Sequence, residues 1–185
     1  LIQANQTHYE ERRKEVGTYT VVRESLDTHF ALSRSAVELH GADALLWSET
    51  VYPTTFGQAK SEAGASFDAE ILSLIEELGV PLMFGTYDRD ADGEYNSAAI
   101  VEPDTGLLGH YRKTHPFPMT EYVPAWLDGP IFRSLFPWAG SWKPGYGARV
   151  FPLRTQDGRE VNVLPLICLD DMRTALAIDG ARLGA

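Results

Sequence analysis

The spacing of apolar residues switches repeatedly along this 185-residue chain between a helical and a strand period, and that alternation constrains the fold more than any other feature. From Tyr19 to about His40, Val22, Leu26, Phe30, Leu32, Ala36, Val37 and Leu39 recur at mostly helical spacing, and Gly41 follows as a stop. ADALLW then reads as a buried strand. Ser66 is placed to N-cap a second helix, FDAEILSLIEEL, which Gly79 closes before the buried strand VPLMFGTY. DRDADGEYN turns the chain into NSAAIVEP, and a PDTG turn (Pro103 to Gly106) leads into LLGHYRK. An irregular stretch runs from Pro116 to Tyr146. After it ARVFPLRT and VNVLPLICL form a strand pair joined by QDGRE, and the helical pattern DMRTALAIDGARLGA follows. The opening LIQANQTHYEERRK reads as a strand entered partway. No repeat, low-complexity tract or linker interrupts this order, which predicts one α/β unit over 1–185. Because that unit stops on a helix just after its most apolar strand, the expectation is a partial domain with an exposed sheet edge, marginal on its own.

Composition excludes several roles. Lys and Arg total 16 against 26 Asp and Glu, a formal charge of -10, so no broad basic face exists for a nucleic-acid backbone. The longest apolar run, VLPLICL, is far shorter than the roughly 18 to 20 residues of a membrane-spanning helix. LIQANQTHYEERRK lacks the basic, then apolar, then small-residue order of a signal peptide. With one cysteine, Cys168, an internal disulfide and a multi-cysteine zinc site are both impossible, while the redox compartment stays undecided.

Asp88, Asp90, Asp92 and Gly93 occupy the first, third, fifth and sixth positions of a calcium-loop pattern. The twelfth position is Ala99 rather than a bidentate Glu, and strands flank the loop instead of helices, so calcium is set aside and no metal is expected. Cys168 holds more promise. A free cysteine is commonly a small buried hydrophobe, but here three separate strands each bring one reactive side chain to or near a carboxyl end: Glu49 after ADALLWS, Lys113 ending LLGHYRK and Cys168 in VNVLPLICL. Sites in α/β architectures form at such ends.

WSETVYP, YRKTHPFPMTEYVP and PLICLDD, in that order and at those separations, resemble the three signature blocks of the nitrilase (carbon-nitrogen hydrolase) superfamily. EYVP, with Glu121 eight positions after Lys113, is similar to the apolipoprotein N-acyltransferase branch, and LIQAN and YNSA fit it as well. The resemblance implies an α-β-β-α sandwich truncated at its C-terminus, a Glu49, Lys113, Cys168 triad assisted by Glu121, and no cofactor. It implies acyl transfer from a glycerophospholipid to the N-terminal cysteine amine of an apolipoprotein, at the extracytoplasmic face of a bacterial inner membrane. The alternatives are a soluble amidase or nitrilase acting on a small amide or nitrile, and an inactive fragment. Three departures stand out. Ser48 replaces the proline common before the base, Leu169 and Asp170 stand where the acyltransferases tend to have Tyr and Glu, and the family's further strand and NDSWF-like loop are not in this sequence.

Elementary acid–base chemistry limits how such a triad works. A cysteine and a glutamate at ordinary values, about 8.5 and 4.3, make thiol-to-carboxylate proton transfer uphill by nearly 6 kcal/mol. An ammonium about 4 Å from the sulfur is worth at most roughly 4 kcal/mol at an effective dielectric near 20, so burial of the carboxylate is expected as well. In this scheme Glu49 is general base, Cys168 nucleophile and Lys113 the cation for thiolate and oxyanion. Glu121 either orients Lys113 or is a turn residue binding backbone N–H groups. The stretch from 116 to 146 holds Phe117, Tyr122, Trp126, Phe132, Phe136, Trp138, Trp142 and Tyr146 with six of the eleven prolines. It reads as an arm over the site, with Phe117, Tyr122, Trp126, Trp138 and Trp142 as candidate substrate contacts suited to a lipid–water boundary. The other reading is a proline-stiffened loop packed on its own core.

Overall fold

Helices form where the apolar spacing is helical, one of them beginning earlier than that spacing shows, and another forms where no apolar spacing announces it. The computed structural model describes residues 1–5 and 9–185. Helix α1 (Tyr9–Val16) replaces the strand expected over that part of the opening, and its near lack of apolar residues leaves no helical period to read. Helix α2 (Thr18–His40) buries Val22, Leu26, His29 and Phe30 along one face. It closes as expected on Gly41 in the left-handed region (φ 63°), where a side chain would be strained. Helix α3 (Glu62–Leu78) corrects the N-cap. The cap is Ser61, whose hydroxyl accepts from the Gly64 N–H, and Ser66 lies inside the helix. The first turn, EAGA, carries no large apolar residue, so the apolar pattern starts only at Phe67.

Four strands form one sheet in the order β1 (Leu45–Leu46), β2 (Leu82–Asp90), β3 (Gly93–Glu102), β4 (Gly106–Arg112). β1 pairs parallel with β2, and β2, β3 and β4 pair antiparallel in turn. The pairings Asp90↔Gly93 and Glu102↔Gly106 place the tight turns where DRDADGEYN and PDTG predict them. Ile2 bridges Trp47 in parallel, so among the described residues the strand expected at the opening is reduced to a single bridge on the β1 edge. The calcium pattern is spent otherwise: Arg112 on β4 pairs with both Asp88 and Asp90.

Alternation along the strands builds two cores. Leu82, Phe84, Ala99 and Val101 face α2 and α3, packing with Leu26, Phe30, Phe67 and Ile71. Ala98, Ile100 and Tyr111 point to the opposite face and pack on Phe151, Leu153 and Ile167. Phe151 and Leu153 come from a second sheet, β5 (Phe151–Arg154) paired with β6 (Glu160–Val163). A short helix, α4 (Pro130–Leu135), interrupts the otherwise irregular arm. The outer layer is α5 (Thr174–Arg182), where Gly180 lies against Leu164. VNVLPLICL is not the continuous buried strand its composition predicts. β6 ends at Val163, and Cys168 opens a 3₁₀ turn, Cys168–Met172. Pro165 has no N–H to give a ladder, so an apolar run that looks like a strand stops being one there.

Candidate active site

Strand direction gathers the site. β4 runs antiparallel to β3, which runs antiparallel to β2, so β1, β2 and β4 all point the same way and their carboxyl ends share one edge. Glu49 follows β1 by three residues and Lys113 follows β4 directly. Lys113 also shares its side of the sheet with Tyr111, two residues earlier, which faces the second sheet. Its backbone N–H extends the ladder to the Asn96 carbonyl at 2.8 Å, placing β3 residue Asn96 alongside it.

The Glu49 loop is clamped to β2. Trp47 N–H donates to the Met83 carbonyl at 2.9 Å and Tyr52 N–H to the Gly85 carbonyl at 3.1 Å. The approach is so close that a Cβ on Gly85 would stand 2.7 Å from Glu49 Cα, so only glycine fits. Thr50, directly after Glu49, is held at φ 58°.

Lys113 is 1% exposed and is the hub of a charged cluster. Its Nζ lies 2.8 Å from Glu121 Oε2, 3.1 Å from Glu121 Oε1 and 3.4 Å from Glu49 Oε1. Desolvation acts to lower the Lys113 pKa, but the hydrogen bond to Glu121 and the charges of Glu49, Glu121 and Cys168 outweigh it and move it up. Burial acts to raise the Glu121 pKa. The Lys113 ammonium, the Phe117 N–H at 2.6 Å and the Asn96 amide overcome that effect and hold the carboxyl below its ordinary range. Both sequence readings of Glu121 therefore describe the same side chain, since it pairs with Lys113 and caps a backbone N–H of its own turn.

Cys168 is exposed, not a buried hydrophobe. It shares a cavity of about 370 Å³ with Glu49, walled largely by apolar residues such as Leu46, Met83, Ala98, Leu164 and Ile167. Among the described residues no hydrogen bond joins its sulfur to Glu49 or Lys113. The side chain of Glu49 is 38% exposed, so the burial expected of the carboxylate is absent, because the loop that carries it sits at the open edge of the sheet. Cys168 has φ 51°, a left-handed conformation that costs a non-glycine residue roughly 1–2 kcal/mol.

That conformation is held by a residue whose function the sequence did not reveal. Asp170 is fully buried and accepts from Tyr111 Oη at 2.7 Å, Thr114 N–H at 3.1 Å, His115 N–H at 2.8 Å and His115 Nδ1 at 3.0 Å. It ties the turn after Cys168 to the segment after Lys113. Only the acidic residue two positions past the cysteine signalled it.

The aromatic candidates lie elsewhere. Phe117, Trp126 and Trp138 are exposed and none of the five lines the Glu49–Cys168 cavity. Tyr122 and Trp142 line a separate open cavity of about 600 Å³ with Asp128 and Lys143, and the Trp142 ring packs at a tilt against Tyr87, centroids 4.4 Å apart. The physical reason is the hydrogen bonding of the arm's ends to the site's neighbours: Gly140 and Trp142 donate to the Thr120 and Glu121 carbonyls, and Gly145 to that of Lys113. These bonds fold the arm back on itself at the outer edge.

Two helices on one sheet, a second sheet on its other face and a helix outside that define a nitrilase-type α/β fold. Over 89% of this chain it superposes on a carbon-nitrogen hydrolase from Helicobacter pylori G27 with a TM-score of 0.60 at 24% identity, covering 53% of that chain. The chain belongs to the carbon-nitrogen hydrolase family, whose profile matches residues 1–185. Apolipoprotein N-acyltransferase 2 of Treponema denticola is 26% identical over 84% of this chain, and an apolipoprotein N-acyltransferase of Bdellovibrio bacteriovorus 28% identical over 85%. The chain spans 31% and 30% of the lengths of these two curated relatives. Among the described residues no helix is long and apolar enough to cross a membrane.

Proposed function

We propose that this chain is part of the catalytic domain of an N-acyltransferase, which carries an acyl chain from a glycerophospholipid to the N-terminal amine of an apolipoprotein through a thioester on Cys168. The observation that carries this reading is the cavity that Glu49 and Cys168 share, because its largely apolar wall suits an acyl chain better than a small polar amide. The two relatives named as apolipoprotein N-acyltransferases point the same way.

In the first half-reaction Glu49 takes the Cys168 proton and the thiolate attacks the ester carbonyl. Lys113 stabilises the tetrahedral oxyanion, and the intermediate collapses with expulsion of the lysophospholipid alkoxide, which receives the proton from Glu49. In the second the acceptor amine attacks the thioester, gives its proton to Glu49 and releases the thiolate as the amide forms. Glu121 keeps Lys113 charged and in place. The exposed tryptophans of the arm, Trp126 and Trp138, suit contact with the lipid surface from which the donor comes, at the extracytoplasmic side of the membrane.

A hydrolase would share the first half-reaction and differ in the second, where water reaches the thioester; the exposure of Cys168 is what favours that reading. Intact-mass analysis of the full-length protein incubated with phospholipid alone separates the two. A gain of one acyl group that persists until a lipopeptide amine is added supports the transferase, and rapid release of free acid refutes it. Cys168→Ala should abolish the adduct, and Glu49→Gln should slow its formation without preventing lipid binding.

A further inference from the structure

We infer that Asn96 is a positioning residue for the base, anchoring one oxygen of Glu49 so that the other, Oε2, is the atom that takes the thiol proton. The inference rests on the thiol chemistry proposed above and adds a residue to it.

Asn96 sits on β3 with 4% of its surface exposed, and its carbonyl accepts the Lys113 N–H, so its backbone cannot shift without moving Lys113. Its side-chain amide donates twice, to Glu49 Oε1 at 2.9 Å and to Glu121 Oε1 at 3.0 Å. Both amide hydrogens are thereby used on carboxylates. The opposite amide orientation would set its oxygen against two carboxylates, so the charges around it fix which way it points. The remaining atom, Oδ1, is buried and without a hydrogen-bond partner among the described residues. An orphaned buried acceptor is unfavourable, and an apolar side chain would avoid it at this strand position. The amide is explained by its donors.

The consequence falls on Glu49. Its Oε1 is engaged by both Asn96 and Lys113, whereas Oε2 makes no hydrogen bond among the described residues. Lys113 already faces two carboxylates, and at 3.4 Å its hold on Glu49 is loose. Glu49 itself stands on a partly exposed loop. The neutral amide is thus the short contact that stops the Glu49 side chain from swinging out to water or collapsing onto Lys113.

The test uses the full-length protein and needs no lipid: alkylation of Cys168 by iodoacetamide is followed by intact mass across pH, with thermal unfolding as a control for folding. Asn96→Ser, which keeps at most one donor, should slow alkylation at neutral pH by about tenfold, the size expected for losing a hydrogen bond to a charged group. In a Glu49→Gln background the same Asn96→Ser change should have no further effect, because the group it acts through is gone. Equal losses in both backgrounds, or an unchanged rate in a folded Asn96→Ser protein, would overturn the inference. Should that variant unfold, the isosteric Asn96→Asp decides: replacing donors by a third carboxylate should move the alkylation curve to higher pH by about one unit, and an unmoved curve overturns it. A wild type that alkylates normally yet never accepts an acyl group from phospholipid refutes the acyl-transfer reading and leaves this result standing.

Discussion

Replacing Asp170 by Asn changes one atom of a fully buried side chain and should cost more than its size implies. Each carboxylate oxygen serves two donors: Oδ1 takes the His115 N–H and Nδ1, and Oδ2 takes the Tyr111 hydroxyl and the Thr114 N–H. An amide nitrogen at the Oδ1 position can donate to His115 Nδ1 in its other tautomer and leaves the His115 N–H unpaired; at the Oδ2 position the Tyr111 hydroxyl can turn to accept, and the Thr114 N–H is left unpaired. Either placement strands one backbone donor. That loss costs about 1–3 kcal/mol, and the two bonds kept by the remaining oxygen fall to roughly half their strength. The total is about 3 kcal/mol, which in a domain of this size lowers the melting temperature by about 6–12 °C. Because the turn held by Asp170 also holds Cys168 at its left-handed φ, the rate of Cys168 alkylation should fall together with stability. Calorimetry and thiol labelling of Asp170→Asn read the two effects. A melting temperature within about 1 °C of wild type, with labelling unchanged, would show that the buried carboxylate neither braces the turn nor presents the cysteine.

Glu121, whose pKa is depressed in the folded protein, contributes stability that is complete above the ordinary glutamate value of about 4.3 and is lost as pH falls through its lower folded value. Wild type should therefore lose stability below about pH 4.3 more steeply than Glu121→Gln, as measured by denaturant midpoints at stepped pH. Gly85→Ala should force the Glu49 loop off β2, since the added Cβ meets backbone and not a movable side chain, costing about 1–3 kcal/mol and slowing acylation of Cys168. Thermal melts and the intact-mass assay check both parts.

Local features of the sequence specified local structure well. The helical spacing before Gly41, the glycine that closes α3, and the Asp- and Gly-rich turns that make β2, β3 and β4 a meander are all readable without a fold, because each depends on neighbours a few residues away. Glu49, Lys113, Glu121 and Cys168 could be picked out by residue type, order and resemblance. What failed locally did so for stated reasons: small residues hid the first turn of α3, and Pro165 broke a run whose composition reads as strand. The remaining decisions were tertiary. Nothing in YNSA by itself says that Asn96 bridges two carboxylates. That follows from the β3–β4 register, which sets Ser97 against Arg112 and so brings Asn96 beside Lys113, and from the shared direction of β1 and β4, which delivers Glu49 to the same edge. Asp170 likewise gained its four donors only when the turn after Cys168 packed against the segment after Lys113. Spacing along a chain fixes which residues share a face of one element, whereas convergence of residues 64 and 56 positions apart depends on strand order and register, which are settled by the packing of the whole sheet.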